Sequence, residues 1–398
     1  MIKPTVQYEL EVAYGSAYGF EEAAALIEVL QNNAPSCGKK VKQFEDAFAR
    51  FCGTRYGLAV TSATTGLSLA GIAAGIQPGD EVITTPISWI ATATAFSALG
   101  AELVFCDVDP RTLCLDPARL EGRITRKTKA VVPVHLYGQC CEMDRIMEIA
   151  NRYNLVVIED CAHNPGGEYN GVKAGALGHL GVFSFHQQKN MSTLGEGGLI
   201  TTNSPAFFER ALSYRSLCAR VYGESDKYLS IDEAQHPMGK DYWKIHFDDI
   251  GYNYRMTDAQ AAVGLEQLKK LERHNQRRIE IAGRLTEQLQ GIPGLTLPYV
   301  DPRGKHLFHV YVVQLEQEFP LSKSEFMWAM YTQKGIKVWS HYMPIHLTQP
   351  YLDQGHEPGE CPVAELAFQK YVSLPVHPRL PDEAVDYMAH SVRALAGD

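Results

Sequence analysis

From about residue 56 to 203, short apolar, β-branched runs alternate with segments whose apolar residues recur every three or four positions. The first pattern has the period of a strand and the second that of a helix. Strands are expected over 57–60, 81–85, 102–106, 130–135, 155–159, 180–185 and 198–202. Between them Leu67, Ala70 and Ala74 stand at helical spacing, a Ser88-led segment runs through Leu99, and 143–152 reads as a further helix. Such alternation predicts an α/β domain around one broad, mostly parallel sheet of seven strands. Beyond Thr257 the pattern changes to a long charged helical stretch ending near Gln290, a strand over 309–315, and helices over 323–333 and 382–394. This part predicts a smaller α+β domain. The expected division is 1–265 and 266–398, with the N-terminal segment able to pack against the smaller domain. No repeat or low-complexity linker intervenes, so the long helical stretch itself would join the two.

Composition narrows the functional classes. The chain has 398 residues, 45% hydrophobic and 21% charged, the balance of an ordinary soluble protein. Its net charge of -9 arises from 46 acidic and 37 basic residues spread without blocks, which argues against nucleic acid or an anionic membrane as partner. Residues 56–78 carry no charge and are long enough to span a bilayer, but their Gly, Ser and Thr content favours a strand and helix buried in a soluble protein. The nine cysteines are an odd number with no C-x-x-C pair, which points to free thiols in a reducing, cytoplasmic setting. The N-terminal residues contain no secretory apolar run. Fourteen histidines include no H-E-x-x-H and no zinc-type Cys/His spacing, so no metal is expected.

Four segments carry candidate chemistry. The apolar run 155–158 ends in Glu159 and Asp160, at the sheet edge where α/β proteins bind ligands, although either acid could simply hold a loop. A strand then runs through Phe183, Ser184, Phe185 and His186 into a loop bearing Lys189, followed by the glycine cluster 195–198. A lone loop lysine is ordinarily a solvated charge. These neighbours instead imply a tight, partly buried turn, and burial lowers an amine's pKa towards what imine formation needs. Ser62, Thr64 and Thr65 stand where a strand meets a helix, a place that suits either a phosphate or ordinary N-capping. Trp89 follows a strand, where its indole would belong to the core or cover a flat heteroaromatic ring. Together these parts satisfy pyridoxal phosphate: Lys189 for the aldehyde, Asp160 for the pyridine nitrogen, Trp89 for the ring face, and Thr64, Thr65 and Ser184 for the phosphate.

At these residues the chain resembles the DegT/DnrJ/StrS family of sugar aminotransferases, in the aspartate aminotransferase fold class (fold type I). The pattern E-D-x-A-[HQ], S-F-x-x-x-K, G-E-G-G stands here as Glu159 to His163, Ser184 to Lys189 and Gly195 to Gly198. Further matches cover Phe44-Glu45, Val132 to Gly138 and Gly251 to Asp258. The resemblance implies a pyridoxal 5'-phosphate-dependent aminotransferase in which Lys189 forms the internal imine and Asp160 meets the pyridine nitrogen. His163 would lie near the ring hydroxyl. It implies a homodimer with active sites between subunits, Asn253 of one chain reaching the phosphate held by the other. Relatives that replace the lysine by histidine act as dehydratases; Lys189 is retained, which favours transamination. The expected amino donor is glutamate or glutamine, with Arg255 a candidate for its carboxylate or for a structural salt bridge, and His186 a second substrate candidate.

Two departures bear on the acceptor. The usual S-G-T is Ser62-Ala63-Thr64, and the short turn many relatives have after Arg215 is replaced by a longer loop to about Asp249. The leading expectation is amination of a keto sugar, nucleotide-linked, with Arg220, Lys227 and Lys240 as candidate partners of its diphosphate. A keto-cyclitol is the alternative acceptor. A nicotinamide-dependent dehydrogenase lacks its G-x-G-x-x-G here, and a cofactor-binding regulator would need a further module in a chain already filled by the transferase pattern.

Overall fold

The structure, a computed structural model, describes residues 10, 15–32, 36–221 and 245–397. Its centre is a seven-stranded sheet of β1 (Tyr56–Val60), β2 (Glu81–Thr84), β3 (Glu102–Phe105), β4 (Thr128–Val132), β5 (Val156–Asp160), β6 (Leu180–Ser184) and β7 (Gly198–Thr202). Their order is β1-β7-β6-β5-β4-β2-β3. Neighbours from β3 across to β6 are parallel, while β7 is antiparallel to both β1 and β6. The sheet is therefore the broad, mostly parallel one that the alternating pattern predicts. Expected strand bounds shift by at most three residues: the strand expected over 198–202 is unchanged, the one expected over 130–135 is Thr128–Val132, and the one expected over 309–315 is Tyr311–Leu315.

Two helices precede the sheet without having been anticipated, α1 (Phe20–Gln31) and α2 (Lys39–Cys52). Phe44 and Phe48 of α2 meet Phe185 edge-on at 5.4 and 5.3 Å between ring centres, and Phe48 meets Phe183 at 4.8 Å. The aromatic cluster thereby braces the strand that leads to Lys189. The uncharged stretch 56–78 is β1 followed by α3 (Ala63–Ala73), and α3 is buried along most of its length, which explains its lack of charge. No described helix is long and apolar enough to cross a membrane.

The helix Asp258–Leu289 has 32 residues, about 48 Å at the usual rise. Thr257 starts it, its hydroxyl accepting the Gln260 N–H while the Gln260 side chain returns to the Thr257 amide. Its first half buries Ala261 and Leu271 in the core of the large sheet. Its second half buries Ile281, Leu285 and Leu289 in a separate core. That second core lies on a three-stranded antiparallel sheet, Leu295–Thr296, Tyr311–Leu315 and Tyr371–Leu374, covered by the helices Lys323–Lys334 and Asp382–Ala396. Val310, Val312, Ile345 and Tyr351 turn back into the large core, so the C-terminal chain lies against both.

Candidate active site

The two acids that end β5 part company because successive side chains on a strand face opposite ways. Glu159 is fully buried and accepts hydrogen bonds from the amides of Gly175, Leu177 and Gly178 at 2.6–2.9 Å. His135 Nδ1 accepts the Cys141 N–H, so its Nε2–H donates to Glu159 at 2.8 Å. Cys161 lies close enough for the three to suggest a metal site. However, both Glu159 oxygens and both His135 nitrogens are already engaged, and the cluster is accounted for as a loop anchor. Asp160, on the other face, accepts from Thr92 Oγ1 at 2.7 Å and from the Ala162 amide at 3.0 Å. Thr92 in turn bonds Ser88 Oγ at 2.7 Å.

Lys189 sits in a loop held closed by backbone. Gln187 N–H donates to Gly195, Thr193 N–H to Phe185 and Lys189 N–H to His186, at 2.8–3.1 Å. Gly195 has a φ of +101°, and a Cβ on Gly197 would lie 2.0 Å from Thr193 Oγ1, so the glycine cluster is dictated by the turn. Gly15 closes the outer side: its N–H donates to Gln187, and a Cβ there would lie 1.8 Å from the Lys189 carbonyl oxygen. Burial lowers the Lys189 pKa from 10.5 to about 8, against the opposing pull of Asp160. The residue as a whole keeps partial solvent access.

Around this amine stand three imidazoles, those of His163, His309 and His341. Burial holds each below the ordinary range, and the charge of Lys189 lowers all three further. His163 Nδ1 accepts the Tyr137 N–H at 3.3 Å, so its Nε2–H donates to Tyr342 Oη at 3.1 Å. His309 stacks on His163 at 4.3 Å and bonds Asn190, the residue after the lysine, at 3.0 Å. Tyr342 also meets Trp89, which is 61% exposed and so is not a core residue. Of these partners, Thr92, Tyr137, His309, His341 and Tyr342 were not singled out in the sequence. The one local signal is the run of His and aromatic residues at 339–342.

At the start of α3, Ser62 Oγ accepts the Thr65 N–H and Thr65 Oγ1 accepts the Ser62 N–H, a reciprocal cap. Thr65 also donates to the Ser62 carbonyl, which commits its hydroxyl, whereas Thr64 is exposed. Ser184 is buried and accepts the His186 amide at 3.4 Å. Beside the same helix end, Thr61 N–H bonds the Tyr254 carbonyl, Arg255 bridges Val60, and Asn253 is exposed. The side chain of Arg255 is half-buried. His186 lies 3.9 Å from Glu196 at the rim. Residues 219–221 and 245–247 pair as an antiparallel ladder at the base of the long loop. Lys227, Lys240 and the side chain of Arg220 lie outside the described residues.

Known proteins share this arrangement of elements. Residues 17–393 match the DegT/DnrJ/EryC1/StrS aminotransferase family. The spore coat polysaccharide biosynthesis protein SpsC of Bacillus subtilis is 38% identical over 95% of each chain. The GDP-perosamine synthase of Caulobacter vibrioides is 38% identical over 88% of each. Among solved structures, DesV of S. venezuelae superposes with a TM-score of 0.85 at 32% identity, covering 95% of both chains. The chain belongs to the DegT/DnrJ/EryC1/StrS aminotransferase family.

Proposed function

We propose that this aminotransferase moves an amino group from glutamate or glutamine to a keto sugar carried on a nucleotide. The observation that carries the reading is the buried Lys189 amine, its pKa near 8, within the field of the anchored Asp160 carboxylate. The named relative that makes a GDP-linked amino sugar, 38% identical, supports the nucleotide-linked acceptor over a keto-cyclitol.

The donor set fits pyridoxal phosphate: one amine of lowered pKa, one fixed carboxylate, an exposed indole, and hydroxyls with free amides at a helix start. Lys189 would hold its aldehyde carbon, Asp160 its ring nitrogen, Trp89 its ring face and His163 the ring-hydroxyl side. Thr64 and Ser184 would hold the phosphate, Ser62 and Thr65 joining them by giving up their reciprocal cap, with Asn253 supplied by a second copy of the chain in a homodimer. When bound, the cofactor supplies a carbonyl carbon for amine exchange and a cationic ring that draws electrons from the substrate Cα. At pH 7 a pKa near 8 in place of 10.5 raises the neutral fraction of the Lys189 amine about 300-fold. That amine takes the Cα proton and returns it. Asp160 keeps a negative charge in place, and Thr92 and the Ala162 amide stop it from turning away. His163, neutral and locked in one tautomer, presents no competing cation. Arg255 and His186 are assigned to the substrate, Arg255 to the donor carboxylate. With all nine cysteines free and buried, the reducing cytoplasm is the proposed location.

Borohydride reduction of the cofactor-loaded enzyme, followed by peptide mapping, should label Lys189 alone. Glutamate or glutamine should then change the absorption spectrum of unreduced enzyme, and a nucleotide-linked keto sugar should restore it. Preferential amination of a free keto-cyclitol would replace the acceptor. No spectral change with either donor would leave a protein that only binds the cofactor.

A further inference from the structure

Beside Tyr137 lies a cavity of about 140 Å³ between the loop after β3 and the strands of the smaller sheet. Its apolar wall includes Leu297 and Val312, and its polar wall includes Arg111, Gln139 and His306. Arg111 is its one charged residue, and no carboxylate lines it.

Two of the residues lining this space are buried side chains whose other polar atom is already engaged. Gln139 is 4% exposed, and its Oε1 accepts the Asp301 amide at 2.8 Å, which fixes the orientation of its Nε2. His306 is 8% exposed, and its Nδ1 accepts the Phe308 amide at 2.9 Å, so the proton resides on Nε2. Among the described residues neither Nε2 has a hydrogen-bond partner in the protein, and both residues line the cavity. At the mouth the Arg111 guanidinium lies over the Tyr299 ring at 4.8 Å. The guanidinium is two-thirds exposed and lies 3.9 Å from Asp109, whose carboxylate also serves the loop. Asp109 accepts the Arg111 and Thr112 amides at 2.9 Å, and Asp301 takes the Arg303 guanidinium at 2.7 Å.

Converging donors, one cation and an apolar wall favour an anion with a short carbon chain. A cavity of this size admits about six non-hydrogen atoms, since one of about 150 Å³ accepts benzene. A nucleotide or the sugar substrate is too large. We propose that this cavity is a second binding site, separate from the catalytic lysine, for a small carboxylate held by Gln139, His306 and Arg111. Tyr137 forms the shared wall: its amide holds His163 and its hydroxyl donates to the His341 carbonyl.

Butyrate and its neutral counterpart butyramide match the size of the space, and titration calorimetry of the cofactor-loaded enzyme reads their binding. Saturable binding of one butyrate per chain is expected, with butyramide weaker by about tenfold or more. Gln139→Leu and Arg111→Ala should each weaken butyrate binding severalfold, and glutamate should not displace it. Arg111 is on the surface, so Arg111→Ala tests the site without disturbing the core. Absence of saturable binding, equal binding of butyramide, insensitivity to both substitutions, or displacement by glutamate would each overturn the assignment.

Discussion

Lys189 is the residue on which the proposed chemistry turns, and its environment sets a pH dependence of two kinds. In the proposed reaction the unprotonated amine is the active form, so the proton-transfer step should slow as pH falls below about 8. For stability, the amine's folded pKa, about 8, lies below its ordinary 10.5, so between those values the unfolded chain binds more protons and stability rises with pH. In cofactor-free protein, Lys189→Met should therefore raise the thermal midpoint at pH 7, and the gain should fade as pH climbs from 8 towards 10.5. A midpoint difference independent of pH would contradict the desolvation account. Thr92→Val removes one of two hydrogen bonds to Asp160 and should cost about 1 kcal/mol of stability while lowering kcat more than it changes KM. At this scale the sequence was legible where a residue stood out against its neighbours, as Lys189 does among aromatics and glycines. Thr92 and Tyr137 carry no such contrast, because a hydroxyl or a backbone amide acquires its role only from what it faces.

Strand β5 illustrates what an element adds to its residues. Period-two alternation implies that Glu159 and Asp160 diverge, but only the neighbouring loop at 175–178 reveals which of them is spent on structure. Glu159→Gln would turn an amide N–H towards donors and break the pair with His135, costing about 3 kcal/mol in urea unfolding. Asp160→Asn should leave unfolding nearly unchanged and remove activity. At α3 the same reasoning applies to Ser62, since Ser62→Ala should cost about 1 kcal/mol through the lost cap. Helix α2 was in fact written into the sequence, with Val41, Phe44 and Phe48 at helical spacing, whereas Tyr371–Leu374 is too short an apolar run to declare itself a strand.

Across the whole molecule, contacts of long sequence separation assemble the site. His309 and His341 approach an amine more than 100 positions away, and no periodicity or local motif announces such a meeting. Arg278 belongs to the same class. It is fully buried in the long helix, and its guanidinium bonds the carbonyls of Gly15, Phe308, His309 and Val376 at 2.8–3.4 Å. Arg278→Met should strip four carbonyls of their donor and lower unfolding stability by about 2–4 kcal/mol.

The Gly15 strap gives this arrangement a mechanical meaning. One residue grips the loop of Lys189 through Gln187 by its N–H and is itself gripped by Arg278 at its carbonyl, and Arg278 also holds the segment carrying His309. The C-terminal half is thus tied to the backbone of the Lys189 loop through main-chain groups bridged by one guanidinium. The loop of Lys189 and the segment of His309 are held to the same guanidinium, so Arg278→Met should loosen both at once.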